Sequence, residues 1–331
     1  MRPGIIAAAC SVPDDVVATD TLQQHVSDAS GVRIPGALFR RVTGIHSRHI
    51  APDGMYASTL AIAAGRDALT LAGRRPRDVD LLIFASATRD FVEPATAHVV
   101  QHALGTTAHC FDLTNACNSF LNGVDVAGAM IDAGRARTAL VVTGETPSRS
   151  MRPSVDDLDD AIEHFAGFTF GDAGAAVLIE HVVNGGILTT QTETNSEYWD
   201  IGGIFGGGSR HPRDLGKTYF HGQGTRLREV FERIGPSIIA RALESADLRM
   251  EDVAKVLVHQ VTLPYLDRFV EVTGVQRDKL EVTIPHLGNI ASATLPLQLA
   301  RVWDELTAGD RVLFVGLGGG TSVMTMVWEK T

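Results

Sequence analysis

Along the 331 residues, apolar positions gather into short runs separated by helical spacing. Strand-like runs occur at "GIIAAACSV", "VDLLIFASA", "TAHCFDLT", "ALVVTG", "GAAVLIE", "KVLVHQ", "RVLFVGL" and "SVMTMVWE". Between them apolar residues recur every three to four positions, as on one face of a helix. This alternation predicts an α/β architecture. A faint internal repeat sharpens the prediction. "RPRDVDLLIFAS" matches "LRMEDVAKVLVHQ" with Asp78 set on Asp252, and "DAGRARTALVVTG" matches "LTAGDRVLFVG" with Gly134 set on Gly309, offsets of 174 and 175. Two separate stretches sharing an offset predict duplicated α/β halves, residues 1–180 and 181–331. The first half carries extra residues near 146–169, including the acidic "DDLDD", expected outside the sheets. Residues 194–224, rich in Gly, His and Arg, read as loop.

Composition narrows the function. An apolar fraction of 44% supports a real core, and no uncharged apolar run approaches membrane-spanning length. A formal charge of −10 argues against nucleic acid, whose binding depends on releasing counterions to Lys and Arg. Local basic clusters remain for an acidic carrier protein: Arg40, Arg41 and Arg48, or Arg210, Arg213, Lys217, Arg226 and Arg228. Cys10, Cys110 and Cys117 show no zinc spacing and cannot all pair, so reduced thiols and a cytoplasmic location are expected. No metal is expected either, since His98 and His102 share a helical face without a third ligand. "DLGKT" and "GLGGGT" each miss a glycine required of a phosphate-binding loop.

"DLTNACNSFLNG" raises the chemical question. Phe120, Val124, Ala127 and Ile131 have helical spacing, while Gly123 and Gly128 imply a neighbour packed very close. Cys117 thus falls near a helix N-terminus, where unpaired amides favour the thiolate and are expected to lower its pKa. A lone cysteine is more often a small buried hydrophobe. Two further stretches change that reading: "VLVHQVT" ends a strand in His259, and "PHLGNIASATLP" presents Asn289 in a turn before a helix. "GLGGGTS" adds glycines whose amides can approach an oxyanion.

This set, "NAC", "VHQ", "HLGN", "FGDAGAAVL" and "GLGGG" in this order, with "TGIHSRHIA" near the start, resembles the β-ketoacyl-acyl carrier protein synthase III family of thiolase-fold condensing enzymes. The resemblance runs essentially end to end. It implies a five-layer αβαβα thiolase fold, a homodimer, and coenzyme A or carrier-protein thioesters as substrates, with no permanently bound cofactor. Cys117 matches the acylated nucleophile, and His259 and Asn289 match the pair that binds the extender thioester. Gly320 matches the glycine whose amide joins that of Cys117 in the oxyanion hole, and Phe91 matches a residue reaching into the partner's acyl pocket. Thr262, Leu263 and Gly319 are expected to line the substrate path. Departures occur at Leu38 and Val42, where a tryptophan and an arginine are usual, at Thr262 and Pro264, and near His164, where an arginine usually precedes "FGD". They imply a specialised member outside primary fatty acid synthesis. The expected reaction is decarboxylative condensation of an acyl with a malonyl-type thioester. Acyl transfer to an alcohol or amine, and an inactive scaffold, are the alternatives.

Overall fold

The computed structural model describes the backbone of residues 1–331 and every side chain except those of Thr225, Leu227, Arg228 and Ile234, so Arg228 lies outside the described residues. Strands β1 (Arg2–Ser11), β2 (Leu81–Ala85), β3 (His109–Leu113), β4 (Thr138–Glu145) and β5 (Ala173–Val182) form one sheet, ordered β1-β5-β4-β2-β3. Strands β6 (Gly186–Thr194), β7 (Lys255–Val258), β8 (Arg311–Gly318) and β9 (Ser322–Glu329) form another, ordered β7-β8-β9-β6. In the first, β2 runs parallel to β3 and β4, and β5 is antiparallel to β4 and β1. The second repeats the pattern: β7 is parallel to β8, and β9 is antiparallel to β8 and β6. Where the first sheet has β3, a parallel bridge joins Leu280 to Val256 of β7. The chain is a duplication, with Leu81 and Lys255, the first residues of β2 and β7, 174 positions apart. The division drawn at 180 falls inside β5; the sheets change over at residues 183–185.

Helices α1 (Ala57–Leu71), α2 (Thr96–Leu104), α3 (Ser119–Asp132), α4 (Gly224–Ser245), α5 (Leu263–Thr273) and α6 (Thr294–Val302) complete five layers. The outer face of the first sheet is covered by α1 and α2 through Ala61, Ala64 and Val100 against Leu82, Phe84 and Val142. In the middle layer, Phe120 and Val124 of α3 and Leu295 and Leu299 of α6 meet Ile83 and Val141 on one side and Phe314, Met326 and Trp328 on the other. On the far face of the second sheet, α4 and α5 bring Ile238, Ala242, Leu266 and Phe269 against Val256 and Leu313. All five residues of β2, "LLIFA", are buried, as expected for a strand covered on both faces. Each fully buried aliphatic or aromatic side chain contributes roughly 1.5–3 kcal/mol. Because the two sheets share the middle layer, that stabilisation ties the halves together.

Of the two glycines of α3, Gly123 has the close neighbour expected of both, whereas Gly128 has only an ordinary contact, Pro3 at 3.4 Å. A Cβ on Gly123 would fall 2.7 Å from Ala85 Cβ and 3.0 Å from Val141 Cγ1. The residues 146–169 lie outside both sheets and include a short helix, Leu158–Glu163, whose Asp160 pairs with Arg152 at 2.7 Å. Residues 194–224 are mostly loop, tied by a two-residue pairing of Gly202–Gly203 with His221–Gly222. Arg48 needs correction as a surface charge: it is 0% exposed. Among the described residues, no helix is long and apolar enough to cross a membrane.

Candidate active site

Between β3 and α3 the chain turns through Ala116, held at φ 49°, a left-handed conformation that side chains resist. Ala291, 175 positions later, has φ 47° in the corresponding turn of the second half. Cys117 follows the first of these alanines, and Asn289 lies two residues before the second. The end of β8 lies directly on the Cys117 turn. Asn118 Nδ2 donates to Ser322 O and Oγ at 2.9 and 2.8 Å, and a Cβ on Gly318 would sit 3.2 Å from Asn115 O. Glycine permits that approach. It brings a backbone N–H of the loop onto the Cys117 sulfur, joined by the N–H of Cys117 itself. The loop residue whose amide donates is Gly319, not the Gly320 assigned from the motif.

The thiol departs from its expected ionisation. Cys117 keeps part of its surface open yet lies deep among protein atoms. Burial, and next the charge of Glu145, push its pKa up to about 12, against the pull of the two amides. Desolvation outweighs the helix-end effect invoked from sequence. Glu145, the last residue of β4, is 0% exposed. Its carboxylate accepts from Ala87 N at 2.7 Å, Thr88 N at 2.9 Å, Thr88 Oγ1 at 2.7 Å and Ser292 Oγ. Burial raises its pKa, and these donors oppose the rise. Nothing in "VVTGET" signals this role, which exists only once Ser292 folds onto β4.

His259 follows β7, and its amide donates to Val315 O of β8 at 3.0 Å, placing it one strand from the loop that meets Cys117. The side chain is buried, its Nδ1 has no partner among the described residues, and burial lowers its pKa to about 4. It is neutral at pH 7.

Asn289 is held on both sides of its backbone. Its N–H donates to Thr169 O at 2.8 Å, and its O accepts from Gly171 N at 3.2 Å. Oδ1 accepts from Ala291 N at 3.1 Å, which fixes the amide's orientation and turns its donor end, Nδ2, away from that contact. Three residues on, Ser292 ties the turn to the first half through Glu145 and through Thr143 Oγ1 at 2.8 Å. The "FGD" strap is fixed by the buried Arg48, which donates to Phe168 O, Phe170 O and Thr19 Oγ1. Its guanidinium is paired with carbonyls instead of a carboxylate, and burial lowers its pKa to about 10. The Cys117 turn meets the loop after β8, the strand that anchors His259, while Ser292, three residues after Asn289, binds the Glu145 whose charge acts on the Cys117 thiol.

A groove of about 1160 Å³ opens beside this cluster, lined by Thr169 and by Val261 and Thr262, which follow His259 closely in sequence. Leu38, Val42, Ile162, Phe165 and Tyr265 supply apolar walls, and Glu163, Asp200, Glu229 and Arg226 supply the charges. Thr262 also caps α5, its Oγ1 accepting from Tyr265 N at 3.2 Å. Leu263 is not among the groove's lining, and neither are Cys117, His259, Asn289 and Gly319; Leu263 packs against Gly44, where a Cβ would lie 2.5 Å from its own. His164 is tucked against Asp160 at 3.0 Å, with His221 of the groove wall 4.6 Å away, ring to ring. Phe91 points outward at 50% exposure. Of the basic residues near the rim, Arg210 lies over Trp199 and Arg226 over Tyr198, at 5.5 and 5.4 Å.

The family described as 3-Oxoacyl-[acyl-carrier-protein (ACP)] synthase III matches residues 111–196, and its C-terminal counterpart matches residues 243–330. Beta-ketoacyl-[acyl-carrier-protein] synthase III of Rhodospirillum rubrum is 35% identical over 88% of this chain and 90% of its own length. The protein of the same name from Clostridium perfringens strain SM101 is 29% identical over 96% and 95%. Among solved structures, OleA of Xanthomonas campestris superposes with a TM-score of 0.88 at 24% identity, covering 99% of this chain and 98% of that one. FabH of Pseudomonas aeruginosa PAO1 gives 0.87 at 24% identity, covering 100% and 98%. These likenesses establish the thiolase fold. On sequence and structure together, the chain belongs to the 3-oxoacyl-acyl carrier protein synthase III family of acyl-transferring condensing enzymes.

Proposed function

We propose that this enzyme joins an acyl thioester to a malonyl-type thioester by decarboxylative Claisen condensation, with Cys117 as the acyl carrier. The Cys117 sulfur forms a bond to the acyl carbon and the donor's thiol leaves with the proton the sulfur gives up. The amides of Gly319 and Cys117, which point at the sulfur, hold the oxyanion of that step. The malonyl thioester then loses carbon dioxide. Its enolate carbon bonds to the acyl carbon, the bond to sulfur breaks, and the thiol takes up a proton. His259 and Asn289 donate hydrogen bonds to the enolate oxygen. The observation that carries this reading is the fixed amide of Asn289: with Oδ1 occupied by Ala291 N, the side chain offers a donor where negative charge develops. His259 supports it, since a neutral imidazole can donate from Nε2 when Nδ1 is sealed in the protein.

The groove supports a specialised substrate. Among its lining residues three carboxylates face one arginine, and Leu38 and Val42 offer aliphatic surface, so a polyphosphate nucleotide tail gains little there. Pantetheine thioesters fit this lining better, whether free or on a carrier protein, in a cytoplasmic homodimer outside primary fatty acid synthesis. The test supplies acyl thioester and carboxyl-labelled malonyl thioester and follows labelled carbon dioxide alongside β-keto product. Release of both in equal amounts is expected. Acyl-enzyme that turns over only on an added alcohol or amine, without carbon dioxide, would replace this reading with simple acyl transfer.

A further inference from the structure

We infer that Gln260 is a positioning residue that sets Asn289 against His259, so that the decarboxylative half of the reaction depends on its side chain and the acylation of Cys117 does not. The inference rests on the condensation reading above. Gln260 adjoins His259 and is 1% exposed. Its Oε1 accepts from Thr283 N at 3.0 Å and Ile284 N at 2.9 Å, and its Nε2 donates to Glu281 O at 2.6 Å. Both ends of the amide are thereby engaged by one segment, Glu281–Ile284. The two amides open the short helix Ile284–Leu287, whose end passes through Gly288, at φ 67°, straight into Asn289. The residue beside the imidazole thus caps the helix that delivers the carboxamide. Gln298 of α6 reinforces the same joint, its Nε2 donating to Val258 O and Glu281 O at 3.1 Å each.

Why the two halves of the reaction should separate follows from where these bonds run. Cys117 is held from β3, α3 and the β8 loop, whereas the Gln260 side chain bonds to Glu281, Thr283 and Ile284. His259 keeps its own anchor on Val315 O. Loss of the Gln260 bonds frees the start of the Asn289 segment while Thr169 and Gly171 still hold its end. A displacement on the order of 1 Å at a group that must meet a transition state can cost about 10²-fold in rate.

The experiment measures two rates in wild type and Gln260→Met. One is the acylation of Cys117, by intact mass after rapid quench. The other is carbon dioxide release from malonyl thioester by preformed acyl-enzyme. Acylation is expected within threefold of wild type. Decarboxylation is expected to fall at least tenfold, through kcat, with KM for the malonyl thioester shifting less than threefold. Equal loss in both steps, or no loss in either, would overturn the inference. If Gln260→Met does not fold, Gln260→Glu replaces it. A carboxyl group can accept both amides but donates to Glu281 O only when protonated, so its deficit should be larger at pH 8 than at pH 6. A deficit that does not vary with pH would count against the assignment. Wild type that acylates without releasing carbon dioxide would instead remove the condensation reading, and this inference with it, which is a distinct result.

Discussion

Asparagine at 289 is chemically specific. A carboxylate of the same shape could accept from Ala291 N, as Oδ1 does now, but would place a second acceptor where the present side chain offers a donor. Asn289→Asp should therefore still form the acyl-enzyme, while condensation drops by roughly 10²–10³, the loss typical of removing one oxyanion donor. Parallel quench assays of the two steps check this; an Asp variant that condenses at wild-type rate would show that Nδ2 donates to nothing that matters. At Cys117 the prediction concerns pH. A thiol with pKa pushed up to about 12 is protonated in the free enzyme at neutral pH, so its ionised fraction rises with each added pH unit. Alkylation of Cys117 by iodoacetamide should climb about tenfold per pH unit from 7 to 10 without levelling, whereas a free thiol of pKa roughly 8.5 levels off above that value. A plateau near pH 8 would mean that the helix end and the two amides prevail over burial and Glu145. From sequence, the helix end is expected to lower the thiol's pKa; burial raises it instead, helped by the charge of Glu145, a carboxylate on a different strand remote from "NAC" in the chain.

At the level of elements, the glycines of α3 can be told apart. At Gly123 a methyl group would overlap Ala85 at 2.7 Å, whereas at Gly128 its nearest neighbour, Pro3 Cβ, is at 3.4 Å, an ordinary contact. Alanine gains about 1 kcal/mol over glycine in a helix. Overpacking a core costs about 1–3 kcal/mol. Gly123→Ala should thus lower stability by up to about 2 kcal/mol and Gly128→Ala should raise it by up to about 1 kcal/mol. Urea midpoints measure both, and equal effects would contradict the packing of α3 on β2 and β4. Most elements were legible because their apolar runs are long enough to be covered on both faces, as in "LLIFA". The edge strand β6 was not. Its "TTQTET" is half-exposed and polar, and only pairing with β9 makes it a strand.

For the whole molecule, duplication is the fact that organises the rest. The repeat offset read from the sequence reappears as matching strand orders and as the paired left-handed alanines Ala116 and Ala291. The halves diverge at these turns: the turn after Ala116 carries a thiol, while the turn after Ala291 carries Ser292, whose hydroxyl donates to Glu145. The first half carries Cys117 and the second carries His259 and Asn289, and the two halves share the middle layer. The measurement that bears on this account most directly is peptide-mapped mass spectrometry of the enzyme after exposure to an acyl thioester and then a malonyl thioester. The account predicts an acyl adduct on the peptide containing Cys117, which disappears on the second addition as carbon dioxide is released. No adduct at all, or an adduct carried by Cys10 or Cys110 while Cys117 stays free, would contradict it.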